Sequence, residues 1–113
     1  MLIGLGVVFS VPDPLDATRA PATLNKTGAN GNLSSGSCTC TATGGKEPYS
    51  YLWTYVSGEN ATINSPTAAV TNWTHNGTNE AVNGRFKCTV TDDDSNTAET
   101  PTVRVAWVHG TPQ

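Results

Sequence analysis

Apolar and polar residues alternate at a period of two in several short runs of the chain. In a strand this period sends successive side chains to opposite faces, so each such run predicts a strand with one buried and one solvated face. No run shows the 3.6-residue period of an amphipathic helix. Seven short segments follow the strand pattern, and they are residues 22–26, 37–43, 49–55, 61–64, 68–74, 82–91 and 102–108.

Turn-forming residues separate these segments. Glycine, proline, asparagine and aspartate cluster at residues 44–48, 57–60, 75–79 and 92–96, and Asn76-Gly77 is a typical hairpin turn signal. Short strands at a spacing of roughly 8–12 residues are typical of an antiparallel sandwich or barrel. The pattern therefore predicts an all-β fold of about seven strands, an antiparallel β-sandwich.

The first twenty residues do not share this pattern. Residues 2–9 form an apolar run that is shorter than the ~20 residues of a membrane span, and no Lys or Arg precedes it as in a signal peptide. Residues 10–20 contain two prolines and no periodicity. We expect an extended N-terminal arm over residues 1–20 and one domain over residues 21–113, although the apolar run could also be a first strand of that domain. The arm side chains expected to form an anchor or interface are Leu2, Ile3, Leu5, Val7, Val8 and Phe9.

Composition narrows the function classes. Only 13% of the 113 residues are charged, the formal net charge is −3, and the six basic residues are scattered. Threonine, serine and asparagine contribute 18, 8 and 10 residues, which favours strands and turns over a helical bundle. A mildly acidic chain without a basic cluster is not expected to bind nucleic acid.

Three residues have an informative spacing, Cys40, Trp53 and Cys88. Gaps of 13 and 35 residues place them on the second, third and sixth predicted strands, and residues 21–108 resemble an immunoglobulin-like domain in this respect. The resemblance implies a core in which the two cysteines face each other beneath the tryptophan. Phe86 belongs to the same core, at the place where antibody-type domains carry the tyrosine of the tyrosine corner.

The state of the cysteines stays open at this stage. The resemblance allows a Cys40–Cys88 disulfide, whereas in a reducing compartment the same residues would be small buried thiols. Cys38 shares a strand face with Cys40, so either residue could approach Cys88. An odd number of cysteines leaves at least one thiol outside any intramolecular bond.

A narrower resemblance rests on three sequence runs. They are Thr43-Gly44-Gly45-Lys46-Glu47-Pro48-Tyr49-Ser50-Tyr51-Leu52-Trp53, then Gly84-Arg85-Phe86-Lys87-Cys88-Thr89-Val90-Thr91-Asp92, and a terminal Thr-Val-Arg-Val strand. Together they are similar to short Ig-like or PKD-like modules of bacteriophage structural proteins and bacterial surface proteins. The similarity covers about three quarters of the chain.

Candidate catalytic and metal-binding residues are few. His75 and His109 lack a recognisable nucleophile or carboxylate partner, and we expect both to be exposed and solvated. Cys38-x-Cys40 does not have the spacing of a zinc knuckle, and the aspartates at residues 92–94 fit a solvated hairpin turn better than a calcium loop. The sequence thus predicts no enzyme activity, no metal and no cofactor.

The aromatic face of the third predicted strand allows one binding function. Tyr49, Tyr51, Trp53 and Tyr55 share this face and could form a sugar-binding platform. Aromatic residues at a period of two more often pack against a core, and we expect Trp53 to do so.

The resemblance implies a structural role. We expect a non-enzymatic virion protein, a capsid decoration or tail-associated protein present in many copies. Its arm would bind the major capsid protein or another virion protein, and its body would make weak contacts with host glycans. The alternative is an extracellular adhesion or carbohydrate-binding module on a cell surface, which predicts an oxidised Cys40–Cys88 pair and a row of exposed aromatic residues.

Overall fold

The computed structural model describes residues 13–111. The predicted anchor side chains, from Leu2 to Phe9, lie outside this range. Every regular element of the described chain is a β-strand. The eleven strands are β1 (Asp16–Ala20), β2 (Thr23–Gly28), β3 (Gly31–Ser34), β4 (Cys38–Thr43), β5 (Ser50–Gly58), β6 (Thr62–Ile63), β7 (Val70–Thr71), β8 (Trp73–Gly77), β9 (Glu80–Thr91), β10 (Thr97–Glu99) and β11 (Val103–His109).

One layer of the molecule is assembled from short strands. Its hydrogen-bonded orders are β1–β4–β7 and β3–β8–β6. Ser35 connects the two groups, because its N–H donates to the Trp73 carbonyl at 2.8 Å and its hydroxyl accepts from the Trp73 N–H at 3.0 Å. Strands β3 and β4 therefore follow each other as two parts of one long, interrupted strand, and β7 and β8 do the same in the neighbouring one.

The second layer is a five-stranded sheet built around the twelve-residue strand β9. Strands β11 and β10 pair with successive parts of one edge of β9, β5 pairs with the other edge of β9, and β2 pairs with the far edge of β11. All these pairings are antiparallel except that of β2 with β11, which is parallel. A cis Ala20–Pro21 bond precedes β2, where the chain passes from the first layer to the second.

The core between the layers is rich in aromatic side chains. Trp53, Trp73, Trp107 and Phe86 are almost completely buried, together with Val90, Val103 and Val105. The Trp73 ring meets the Trp53 ring edge-on at 5.5 Å between centroids and the Phe86 ring at 5.2 Å. The indole N–H groups of Trp53 and Trp107 donate to the carbonyls of Ala68 and Leu33 at 2.8 and 3.1 Å, so these two rings are fixed at both ends.

The structure confirms the predicted all-β sandwich and changes several strand boundaries. Residues 16–20, expected within the extended arm, form β1 and pair along their whole length with β4. The arm prediction is wrong for these residues because Ala17 is buried in the core and the two prolines lie ahead of the strand. Residues 31–34, which lie between the predicted strands 22–26 and 37–43, form β3, and its Leu33 packs against the core.

The hairpin before β9 also differs from the prediction. Strand β8 continues through Asn76-Gly77, and the bend falls at Thr78 and Asn79. Asn79 adopts a positive φ of 49°, a conformation that asparagine tolerates better than most residues. Within the described residues, no helix is long and apolar enough to cross a membrane.

Candidate functional site

The predicted core residues Cys40, Trp53, Cys88 and Phe86 all lie in the interior. Trp53 and Cys88 are direct cross-strand partners in the β5–β9 ladder, and Cys40 faces them from β4 in the opposite layer. The Cys40 and Cys88 thiols influence each other's pKa, which places them close together in the interior. The structure therefore brings the cysteine pair and the tryptophan together, and it adds Phe86 beside Trp73.

The three cysteines are free and buried. Burial raises the pKa of Cys88 to about 12 and that of Cys38 to about 11, and it raises the pKa of Cys40 as well. Burial is the larger effect in both residues, and the proximity of the two thiols lowers the pKa of Cys40 and raises that of Cys88. Thiols in this state are protonated at neutral pH and are poor nucleophiles and metal ligands.

The two histidines are buried and hydrogen-bonded to each other, so the prediction of exposed rings is wrong. Their exposed fractions are 5% for His75 and 0% for His109, and His75 Nδ1 lies 2.8 Å from His109 Nε2. His75 Nε2 lies 2.9 Å from Glu59 Oε2. The Trp107 ring stacks on His75 with centroids 5.1 Å apart. This Glu59–His75–His109 chain links the β5–β6 connection to both layers.

The proton positions in this chain follow from its partners. An ionised carboxylate only accepts hydrogen bonds, so His75 Nε2 carries the proton donated to Glu59. In the neutral pair, His75 Nδ1 then accepts from His109 Nε2–H, and His109 Nδ1 carries no proton. That Nδ1 atom is buried and has no hydrogen-bond partner among residues 13–111. These tautomers are assigned from the hydrogen-bond network.

The geometry of the Glu59–His75–His109 hydrogen-bond chain favours a structural role. In a catalytic triad, one imidazole nitrogen contacts the carboxylate and the other contacts the nucleophile. Here the second nitrogen of His75 is bonded to His109, which takes the place of a hydroxyl or thiol. Glu59, with a side chain that is 44% exposed, borders a shallow depression of about 420 Å³ that is also lined by Asn60, Thr62, Thr74 and Asn76.

The aspartate run at residues 92–94 organises a turn. The Asp92 carboxylate accepts hydrogen bonds from the backbone N–H groups of Lys46, Asp94 and Asn96 at 2.8–3.1 Å and from the Asn96 amide at 3.2 Å. Burial raises the pKa of Asp92, but these hydrogen bonds outweigh it and leave the pKa below the ordinary value. Asp92 is thus buried rather than solvated, while Asp93 pairs with Lys46 at 3.6 Å. Within residues 13–111, no three His, Cys, Asp or Glu side chains are grouped as metal ligands.

The aromatic residues of β5 do not form an exposed row. Trp53 is buried, and the partly buried Tyr49 and Tyr51 pack against the core. The Tyr49 hydroxyl donates to the Gly44 carbonyl at 2.6 Å. Tyr55 is 42% exposed, and its hydroxyl is also bonded to the backbone, at Gly58. The sequence-based alternative of a sugar platform on this strand therefore lacks its flat aromatic surface.

The side of the five-stranded sheet that faces away from the core, hereafter the outer face, combines aliphatic and basic side chains. On β5, Leu52 is 49% exposed, and Val56 at the bulge is 42% exposed. On the neighbouring strands, Arg85 and Arg104 are direct cross-strand partners. Lys87 is paired with Glu99 on β10 at 2.9 Å. Threonine and asparagine make up most of the remaining outer face, notably Thr23, Asn25, Thr27, Thr54, Asn83, Thr89 and Thr97.

Comparison with known proteins identifies the fold. The solution structure of the PKD domain (329–428) from human KIAA0319 is similar to this chain, with a TM-score of 0.55, 17% identity, and coverage of 96% of this chain and 95% of that one. The protein has an immunoglobulin-like β-sandwich fold. At 17% identity, this similarity concerns the fold alone.

Other comparisons add little. A conjugative transposon lipoprotein from Bacteroides eggerthii DSM 20697 aligns with a TM-score of 0.47 and 16% identity over 82% of this chain and 97% of its own. No protein-family model matches the sequence, and neither does any curated protein.

The two histidines, whose burial the sequence analysis missed, follow the same period of two as the other inward-facing residues. His75 comes two residues after the inward-facing Trp73, and His109 comes two residues after the inward-facing Trp107. Extending each strand by one inward position would have placed both imidazoles in the interior. The Arg85–Arg104 pair depends on the register between β9 and β11, which the sequence does not specify on its own.

Proposed function

We propose that this protein is a non-enzymatic immunoglobulin-like module that is displayed on the surface of a larger assembly, with the outer face as its contact surface. The observation that carries the proposal is the composition of that face. Leu52 and Val56 are about half exposed, and two arginines lie on the neighbouring strands, with Arg85 opposite Ser57 next to Val56. Exposed aliphatic groups bordered by polar side chains are typical of interaction surfaces.

The reactive side chains support a binding role over catalysis. Each candidate group is already engaged in holding the fold together. The thiols are buried and protonated, the Asp92 carboxylate fixes a turn, and both nitrogens of His75 are hydrogen-bonded within the chain. Function in such sandwiches resides in what their faces contact.

The assembly that we propose is a virion, on which the protein would decorate the capsid or the tail. The three free, buried thiols are consistent with this choice, because free thiols are the usual state in a reducing cytosol, where bacteriophage proteins are made. An extracellular module is less well supported, since it was expected to have an oxidised cysteine pair and an exposed aromatic row. In this proposal the N-terminal arm binds the major capsid protein or another virion protein, and multiple copies are present.

The experiment compares the full-length protein with a variant lacking residues 1–12, which leaves β1 intact. Particles are assembled with each form, purified, and analysed by quantitative mass spectrometry, with circular dichroism as a check on folding. We expect the full-length protein on the particles in many copies and a loss of at least tenfold for the shortened variant. Equal occupancy of the two forms would contradict the arm as anchor, and absence of the full-length protein from the particles would contradict the virion assignment.

A further inference from the structure

The charges of this protein are unevenly distributed. The chain has six basic and nine acidic residues. Three of the basic residues, Arg85, Lys87 and Arg104, lie on the outer face with a single acidic residue, Glu99. The remaining chain therefore carries three basic and eight acidic side chains. An anionic molecule is repelled by most of this protein and attracted to one face of it.

Arg85 and Arg104 are the centre of this face. They are direct partners in the antiparallel β9–β11 ladder, so their side chains leave the sheet on the same side. The Arg104 N–H donates to the Ala22 carbonyl at 3.0 Å, on the side away from β9. The two arginines therefore form a non-hydrogen-bonded pair, the type in which cross-strand side chains are closest, with Cα atoms ~4.5 Å apart.

These two guanidinium groups have no acidic partner within the described chain. Among residues 13–111, the ion pairs join Lys46 to Asp93, His75 to Glu59 and Lys87 to Glu99, and neither arginine takes part in any of them. Like charges placed directly opposite each other destabilise a sheet. An anion that bridged both groups would remove this repulsion.

We propose that Arg85 and Arg104 bind the carboxylate or sulfate groups of an acidic polysaccharide. Each guanidinium presents a planar set of N–H donors that matches such an oxyanion with two parallel hydrogen bonds. Thr23 is paired with Arg104, and Thr54 lies across from Lys87, so hydroxyl groups on the same face flank the arginines. The inference rests on the proposed function in that it names what the displayed face contacts.

The remaining outer face favours a polysaccharide over two other polyanions. Nucleic acid requires a longer basic track than two unpaired cations provide. A protein partner generally needs a continuous apolar centre, whereas Leu52 and Val56 are separated by four positions on one edge strand. An open sheet surface with many hydroxyl groups suits an extended, hydroxyl-rich chain.

The test is a titration of the full-length protein in solution at low salt, followed by isothermal calorimetry and by backbone amide NMR shifts. The probes are a chondroitin sulfate hexasaccharide and an oligogalacturonate, with maltohexaose as a neutral control and polyglutamate as an acidic peptide. The proposal expects binding of at least one acidic oligosaccharide, the largest shifts at residues 84–86 and 103–105, and no binding of maltohexaose.

Matched variants separate a specific site from general charge attraction. R85Q/R104Q removes the site, and K26Q/K46Q removes the same charge elsewhere. The proposal expects at least a tenfold loss of affinity in the first double variant and less than a twofold loss in the second, with both variants folded by circular dichroism. Equal losses in the two, binding of polyglutamate alone, or no binding of either acidic oligosaccharide would each overturn it. This titration uses no particles, so a negative result would not bear on the virion assignment, which is tested separately by the occupancy on particles of the full-length protein and of the variant lacking residues 1–12.

Discussion

The Glu59–His75–His109 hydrogen-bond chain joins three polar side chains that come from separate parts of the sequence. It places two imidazoles in the interior with 2.8 Å between their nitrogens. A buried polar atom that loses its partner costs about 1–3 kcal/mol, so each histidine depends on the other. The chain thereby couples strands β8 and β11, which belong to opposite layers.

This coupling predicts the outcome of a double-mutant cycle on His75→Leu and His109→Leu. Each single substitution leaves the remaining imidazole with an unpartnered nitrogen, whereas the double substitution removes both. We expect the double variant to be less destabilised than the sum of the single variants by about 1–2 kcal/mol, measured by urea unfolding. Glu59→Gln, at a half-exposed site, should cost less than about 1 kcal/mol. Additivity within about 0.5 kcal/mol would contradict the coupling.

Asp92 predicts how stability changes at acid pH. Its pKa is lowered in the folded protein by hydrogen bonds from three backbone N–H groups and one side-chain amide. The ionised Asp92 carboxylate therefore stabilises the folded protein at pH values above its pKa in the unfolded chain, which is about 3.9. This stabilisation is lost as the pH falls through the lower pKa that Asp92 has in the folded protein. We expect Asp92→Asn to be clearly less stable than the natural protein at pH 7 and nearly equal to it at pH 2.

The measurement is urea unfolding of both proteins at several pH values. Asp94→Asn is the matched control, because it changes the same charge at an exposed neighbouring position. A constant difference between Asp92→Asn and the natural protein from pH 7 to pH 2 would show that the carboxylate charge is not what stabilises the turn.

At the scale of elements, strand β5 ends in a bulge that determines where Glu59 lies. The β5–β9 register shifts between Tyr55 and Ser57, and the Glu59 N–H then donates to the Asn83 carbonyl at 2.8 Å. Gly84 permits this approach, since a Cβ atom there would overlap the Glu59 carbonyl oxygen. A glycine at a strand interior often marks such close backbone contact.

Gly84→Ala is therefore predicted to be costly. Backbone on both sides has to move, and we expect a loss of about 1–3 kcal/mol in the free energy of unfolding, as in other overpacked sites. Gly36→Ala is the control, because its added methyl group would meet only a Leu24 side-chain carbon at 3.5 Å. We expect that variant to lie within about 0.5 kcal/mol of the natural protein. Equal effects in chemical denaturation would refute the close contact at Gly84.

The β9–β11 pairing predicts that replacing one arginine stabilises the protein, whereas the substitution at Gly84 destabilises it. Arg85 and Arg104 face each other with like charges, so Arg104→Gln should stabilise the protein by about 0.2–1 kcal/mol at low salt. Lys87→Gln should not stabilise it, because this residue loses its bond to Glu99. Thermal unfolding at two salt concentrations checks both variants. A destabilised Arg104→Gln would mean that the two guanidinium groups do not repel each other in the folded protein.

Some elements could be predicted from the sequence and others could not, for identifiable reasons. Strand β11 was predicted within one residue because Val103, Val105 and Trp107 recur at every second position. Strand β1 was missed because Asp16 and Arg19 are charged and Ala17 is its only buried residue. Strand β10 has three residues, too few to show any period. Glu59 could not be assigned to His75, since a bulge and a sixteen-residue separation determine their contact.

In the molecule as a whole, the interior and the outer face have different roles. The interior holds the cysteine pair, the tryptophans and the histidine pair, and these residues serve the fold. The outer face of the five-stranded sheet carries two arginines that have no acidic partner among residues 13–111, together with two exposed aliphatic side chains. The sequence indicated the interior well, because burial repeats along each strand. The sequence did not reveal the Arg85–Arg104 pair of the outer face, because the register between two strands decides which surface residues lie opposite each other.

On the proposed function, the arm holds this sandwich on its assembly and the outer face stays free. Hydrogen exchange followed by mass spectrometry, comparing the protein on purified particles with the protein in solution, distinguishes the two regions. We expect new protection in peptides covering residues 1–12 and unchanged exchange in peptides covering residues 80–91 and 103–109. Protection of the latter two regions, with no change at the N-terminal end, would contradict it.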